Sequence, residues 1–305
     1  MNLDLLYMIP LYFGMDILPK YIHLIFGLMS AWIIYRYLLV RTGLRVYGLT
    51  GALLFLSLPV IIKLSITAYV DLGLIFFSTA SLLLLFKWAR SGFQRRFLVV
   101  AAVCCGLGMG IKYNGLISFV LLSFFVPVLV NRQIDDGPHP ADDVAQQSES
   151  RKALKALWQA VCFVIISLMV FSPWMLRNIH WQGNPIYPLH QSTFESLAKM
   201  SKPESVGPHP DSSPGGEKAT TGMSHLALRR IVYGESLLET LSIPIRVFFQ
   251  GQDDNPRLFD GRLNPYLVIL PIFAFFGFRQ IRRRHQIENI LLAGFAVFYL
   301  LYAFF

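Results

Sequence analysis

This chain is poor in charge. Asp, Glu, Lys and Arg make up 15% of its 305 residues, against about 25% in a soluble domain, which excludes an ordinary solvated globular surface. Cysteine is rare too: Cys104, Cys105 and Cys162 lie inside apolar runs, are odd in number and lack metal-ligand spacing. They read as small packing residues rather than a disulfide framework or a zinc site. There is no P-loop, no Gly-x-Ser-x-Gly elbow and no dinucleotide fingerprint, which argues against ATP-driven, serine-hydrolase and oxidoreductase chemistry.

Apolar residues take that space, with 54% hydrophobic, 14% aromatic and a mean hydropathy of +0.51. A helical span needs roughly 20 apolar residues, fewer where the helix is tilted or broken. Runs at 21–40, 46–66, 70–88, 97–111, 114–130, 156–174, 265–279 and 287–305 qualify. They predict an all-α integral membrane protein of about eight transmembrane helices. The runs at 97–111 and 114–130 are divided only by Lys112-Tyr113-Asn114-Gly115, so two short helices meeting at a polar corner are expected there.

The formal charge of +9 is not one patch but is spread over short loops, which excludes nucleic acid as a partner. Four basic clusters fall at alternate joints: Arg36, Arg41 and Arg45; Lys87, Arg90, Arg95 and Arg96; Arg132, Arg151, Lys152 and Lys155; Arg279, Arg282, Arg283 and Arg284. Lys and Arg near span ends mark the cytoplasmic side, where anionic lipid anchors them. Alternation then makes 1–19 an external interfacial segment, broken at Pro10, and 20–175 a transmembrane bundle with a cytoplasmic linker at 131–153. Residues 176–264 form an external loop or cap between helices six and seven, and 265–305 the C-terminal spans. The middle of that loop, 201–222, is rich in Pro, Ser and Gly, while 226–231 and 237–249 have helical periodicity. An external start without a signal peptide, and an end inside the apolar run 299–305, predict a fragment or a split reading frame.

The joints of opposite parity carry the chemistry. Asp71, beside Tyr69, is either a cleft carboxylate that holds a metal or positions an acceptor, or an anion favoured by a helix N-terminus. Lys112 follows Gly106, Gly108 and Gly110, a spacing that lets helices pack closely. It is either a ligand for a lipid phosphate or a cation snorkelling to the headgroups. Arg177 offers a bidentate fork for phosphate, and Asn178, His180, Trp181, Asn184 and Tyr187 follow it closely. That density suits a sugar or pyrophosphate, or else an interfacial aromatic belt.

Three blocks together resemble a known family. They are Ala68-Tyr69-Val70-Asp71-Leu72-Gly73, Gly108-Met109-Gly110-Ile111-Lys112-Tyr113-Asn114-Gly115, and Ser172-Pro173-Trp174-Met175-Leu176-Arg177-Asn178 continuing to Gly183-Asn184-Pro185-Ile186-Tyr187-Pro188. Their order and spacing are similar to bacterial membrane glycosyltransferases of the C-type superfamily, related to dolichyl-phosphate-mannose–protein mannosyltransferases. The resemblance implies transfer of a sugar from a polyprenyl-phosphate donor to a glycan, lipid or protein acceptor on the external face of a bacterial inner membrane. It implies Asp71 as the tentative catalytic residue and Lys112, Tyr113, Arg177, Asn178 and Tyr187 as substrate-binding residues. No cofactor is established, and a divalent metal stays open. The family's principal carboxylate belongs to a first external loop of which residues 1–19 match only the end, and Asp4 and Asp16 do not replace it. The competing readings are a catalytically dead remnant or scaffold subunit and a secondary transporter with a midplane site; no internal repeat supports the latter.

The charge asymmetry yields a direct test. In a background without native cysteines, cysteines at Ser91 and Ser148 are expected to be shielded from an impermeant thiol reagent in intact cells, and one at Ser213 to be labelled. Labelling at Ser148 but not Ser213 would invert the orientation.

Overall fold

The structure, a computed structural model, describes residues 2–134, 142–187, 189, 225–252, 255–259, 263–276 and 283–302. Among them there is no strand, and the described parts of the apolar runs picked out above are mostly helical, with a break at Ser57-Leu58; residues 277–279 and 303–305 of those runs lie outside the described residues. The helices are α1 (Asn2–Tyr12), α2 (Leu18–Thr42), α3 (Arg45–Leu56), α4 (Pro59–Ser65), α5 (Asp71–Arg90), α6 (Arg95–Met109), α7 (Gly115–Ile134) and α8 (Asp142–Gln182). After them come α9 (His225–Tyr233), α10 (Leu237–Leu241), α11 (Ile243–Phe249), α12 (Tyr266–Phe276) and α13 (Arg283–Tyr302). Among the described residues three stretches are long and apolar enough to cross a membrane: α2, α5 and the Ala153–Gln182 part of α8. Helices α3 and α4 add a fourth if counted as one span, bent by 67°. The bend is local chemistry, because Leu58 precedes Pro59 and takes an extended conformation (φ −64°, ψ 127°), as the proline ring requires of its neighbour. Helix α6, at 15 residues, rises only about 22 Å, short of a full crossing.

Helices α5, α6, α7 and α8 form the centre, with α2 against α5 and α3 against α2. Their core is built on Trp88, Phe86, Leu85, Ala101, Ala102 and Phe163, all nearly inaccessible. Interior polar groups find partners across helix pairs: Ser81 Oγ donates to the Ala101 carbonyl at 2.8 Å and Ser167 Oγ to the Ala102 carbonyl at 3.0 Å. Close approach makes these bonds available. A Cβ added to Gly106 would lie 2.6 Å from the Ser167 carbonyl of α8, and one on Gly110 would lie 2.3 Å from Asn2 Nδ2. Gly108, read from sequence as part of the same contact stripe, has ordinary room, with its nearest neighbours at 3.7 Å. Cys104, Cys105 and Cys162 are free thiols in the α6–α8 region.

The two ends of this bundle differ in character. At one end the guanidinium of Arg90 forks onto the carboxylate of Glu288, 4% exposed. Tyr37 also donates to Glu288 at 3.0 Å, and Arg41 donates to Asn289 Oδ1 at 2.6 Å. These contacts fasten α13 to α2 and α5. The other end holds the starts of α2, α5 and α7 and the ends of α6 and α8, with Asp71, Lys112 and Arg177. Beyond α8, the stretches 226–231 and 237–249 are largely helical, as α9, α10 and α11, and Glu235 is clasped by Arg229 (2.9 Å) and Arg246 (3.4 Å).

Three local expectations are revised. Pro10 does not break α1, which docks through buried Leu3 and Tyr7 onto Leu74 and Ile111; spacing of four puts both on one face. Helix α8 begins at Asp142, inside the stretch read as linker, because its Ala, Gln, Glu, Lys and Leu content favours helix despite few apolar residues. Most consequentially, α8 runs through Pro173 to Gln182, so Arg177 and Asn178 sit on a helix and not in a loop. Proline at 173 leaves the Met169 carbonyl without its helical donor, and Ser172 Oγ supplies one at 2.7 Å.

The glycine contacts separate two substitutions of the same kind. Gly115→Ala places a Cβ 2.5 Å from the Gly108 carbonyl oxygen, whereas Gly294 of α13 has nothing within 4 Å. Gly115→Ala is expected to cost about 1–3 kcal/mol. Gly294→Ala is expected to be neutral or to stabilise by up to about 1 kcal/mol through helix propensity. Thermal melts of both variants in detergent check the contrast.

Candidate functional site

The corner between α6 and α7 is the first part of the site. Met109 ends α6, and Gly115 opens α7 so close to Gly108 that no side chain fits. Lys112 is thereby carried towards the first residue of α5, and its Nζ lies 2.7 Å from Asp71 Oδ1. The pair is partly open, the Lys112 side chain 44% and the Asp71 side chain 30% exposed. An ion pair this accessible adds only about 0–1 kcal/mol of stability, so what it supplies is orientation. The ammonium keeps two further protons to donate, and the carboxylate keeps a second oxygen.

Arg177 lies in the last turns of α8 between two indoles, its guanidinium carbon 5.7 Å from the Trp174 ring centroid and 5.3 Å from that of Trp181. Helical continuation past Pro173 creates this arrangement, since residues three and four apart share a face. The stacked guanidinium stays exposed with its fork free of protein carboxylates among the described contacts. Tyr113, next to Lys112, lies within electrostatic reach of Arg177 and Tyr187. Burial pushes its phenol above the usual tyrosine range, Tyr187 adds to the shift and Arg177 opposes it. Tyr113 thus joins the Asp71–Lys112 pair to the Arg177–Tyr187 side. Asn178 is buried, and its amide donates to the Pro185 carbonyl at 3.4 Å. Asn184 is fully buried; its Oδ1 accepts from the Ile186 amide at 2.9 Å and its Nδ2 donates to the Leu189 carbonyl at 2.8 Å. Both asparagines fold the chain back after α8 and so place Tyr187.

Sequence reasoning missed three residues that hold the site. His23 of α2 is fully buried, with Nε2 accepting from the Leu72 amide at 2.9 Å. Its Nδ1 faces the carbonyls of Leu64 at 2.9 Å and Thr67 at 3.0 Å, so Nδ1 carries the proton of a neutral ring. The imidazole caps a donor in the first turn of α5 and ties it to the end of α4, one residue from Asp71. Asn2 is the second: its amide N–H donates to the Gly110 carbonyl at 2.8 Å and its Nδ2 to the Leu107 carbonyl at 3.1 Å. Trp174 is the third, with Nε1 donating to Asn2 Oδ1 at 2.6 Å. A lone histidine in an apolar run was the only sequence signal for His23, and nothing local marked Asn2. Among the described residues no group of three or more His, Cys, Asp or Glu is placed to hold a metal ion.

Comparison with known proteins fits this geometry. No curated protein and no solved structure matches the chain. Residues 14–182 match dolichyl-phosphate-mannose-protein mannosyltransferase, a family of glycosyltransferases that use polyprenyl-phosphate sugars. The matched stretch is more than half of the chain and contains Asp71, Lys112, Tyr113, Arg177 and Asn178. With the family's stretch ending on the last residue of α8, just past the stacked Arg177, the chain belongs to the dolichyl-phosphate-mannose-protein mannosyltransferase family.

Proposed function

We propose that this protein transfers a sugar from a polyprenyl-phosphate donor to an acceptor hydroxyl at the bundle end bearing Asp71, Lys112 and Arg177, and that this end faces away from the cytoplasm. The observation that carries the reading is the 2.7 Å Lys112–Asp71 pair, inside the family-matched stretch and at the end opposite the basic clusters. The roughly eight transmembrane helices expected from sequence are part of the proposal, with α6 and α7 as separate helices that meet at the site. A bacterial inner membrane is the setting the resemblance implies, and a glycan, lipid or protein supplies the hydroxyl.

The reaction is a displacement at the anomeric carbon. The acceptor oxygen forms the new bond as the bond from carbon to the phosphate oxygen breaks, and polyprenyl phosphate leaves with both electrons. The acceptor proton passes to the second oxygen of Asp71. Lys112 then loses a charged partner on the Asp71 side while the departing phosphate gains charge, so its attraction shifts to the leaving group as the transition state develops. Arg177 grips the same phosphate through its fork, held by Trp174 and Trp181, while Tyr113 and Tyr187 line the approach for the sugar. A phosphate already leaves readily, so the protein contributes mainly orientation and charge stabilisation.

Donor turnover and affinity measured in membranes carrying the protein test these roles. Lys112→Ala is expected to weaken donor binding by about 10–100-fold, the size of a lost charge-assisted contact, and Lys112→Arg by less. Arg177→Lys is expected to be damaging although charge is kept, because an ammonium cannot reproduce the bidentate fork. Wild-type kinetics in both Lys112→Ala and Arg177→Lys would overturn the assignment.

A further inference from the structure

The basic end of the bundle, far from Asp71 and Lys112, contains a cavity of about 390 Å³ between the α5–α6 turn, α6 and α8. That volume is in the usual range for a small-molecule site. Its lower wall is apolar, made by Leu98, Val99, Cys162 and Ile166, and its rim carries Arg95, Lys155 and Trp158. No carboxylate among the described residues lines it. Phe93 closes one side in a left-handed conformation (φ 63°), unusual for a bulky residue, packed edge-on against Trp88 at 4.8 Å with Lys155 Nζ over its ring at 5.5 Å.

One polar atom in this cavity has no partner. Gln159 Oε1 is buried and accepts no hydrogen bond among the described residues. A buried acceptor without a donor is costly, so a ligand here should bring a hydroxyl or an N–H. Two cations at the rim call for an anion and disfavour a cationic headgroup. The face of α8 beside the cavity is apolar and exposed, through Leu154, Leu157, Trp158 and Ile165, as a lipid-facing surface is. From Lys155 to Ile166 α8 rises about 16 Å, enough to take a headgroup at the rim and the first methylenes of a chain below it.

We propose that this cavity binds the phosphoglycerol headgroup of an anionic phospholipid. The phosphate lies between Arg95 and Lys155, a glycerol hydroxyl donates to Gln159 Oε1, and the acyl chain follows Leu98, Val99 and Ile166. This lipid site is separate from the donor site and depends only on the chain lying in a membrane. Trp158 marks the headgroup depth, where indoles concentrate.

The test uses the whole protein in phosphatidylcholine nanodiscs doped with brominated phosphatidylglycerol or brominated phosphatidylcholine, reading tryptophan fluorescence. Trp158→Phe isolates the contribution of that indole. Brominated phosphatidylglycerol is expected to occupy the site about tenfold or more over brominated phosphatidylcholine, the size two cations give at a membrane surface. Arg95→Gln/Lys155→Gln should remove that preference, and Arg36→Gln/Arg45→Gln, an equal loss of charge elsewhere, should keep it. Circular dichroism checks folding, and the wild-type comparison of the two lipids stands if the double variant fails to fold. Equal quenching of wild type by both lipids overturns the proposal, as does a preference that survives in a folded Arg95/Lys155 variant. Displacement by soluble glycerol 3-phosphate would assign the cavity to a free phosphate and overturn the lipid.

Discussion

The tight corner between α6 and α7 is the constraint on which the site depends. Gly115 lies against the Gly108 carbonyl, and Gly110 against Asn2 of α1 and Trp174 of α8. Four helices therefore meet within a few ångströms of one another, and only glycine leaves them room. Lys112 reaches Asp71, and Tyr113 comes within range of Arg177 and Tyr187, because the chain has no other way around this corner. Lys112 is placed by backbone packing, and the ion pair with Asp71 then fixes its direction.

The same economy governs the interior polar groups. Away from water every donor and acceptor needs an internal partner, and here single side chains serve several backbone groups at once. His23 serves the end of α4, the turn after it and the start of α5. Ser172 repairs the carbonyl that Pro173 strands, which lets α8 continue and puts Arg177 between two tryptophans. These contacts decide geometry more than stability. His23 holds helix ends and Ser172 keeps α8 continuous, and Asp71, Lys112 and Arg177 each lie within a few residues of a helix end.

The helices were legible in the sequence because apolar runs flanked by basic residues have few alternatives. The Lys112 corner and Asp71 were legible too, being isolated polar residues between such runs. What was not legible came from partners distant in sequence. The Trp174–Asn2 bond spans 172 positions and Arg90–Glu288 spans 198, and no periodicity announces either. Pro173 misled for a physical reason: a proline usually ends a helix, and the hydroxyl that rescues this one belongs to the preceding residue. The bond from the Asn178 amide to the Pro185 carbonyl was not legible either, since it depends on how the chain folds back after α8.

The buried clasp between Arg90 and Glu288 has a consequence for the order in which the protein is made. Glu288 lies near the start of α13, which is synthesised after α2 and α5, and the residue is 4% exposed. A buried carboxylate left without its cation costs about 3–5 kcal/mol, so α13 gains little from settling into place without Arg90. Arg90, Tyr37 and Arg41 belong to helices completed long before it. The earlier bundle therefore acts as the receiving surface, and α13 takes its seat only when that surface is already assembled, so the clasp doubles as a check on the helices that came first.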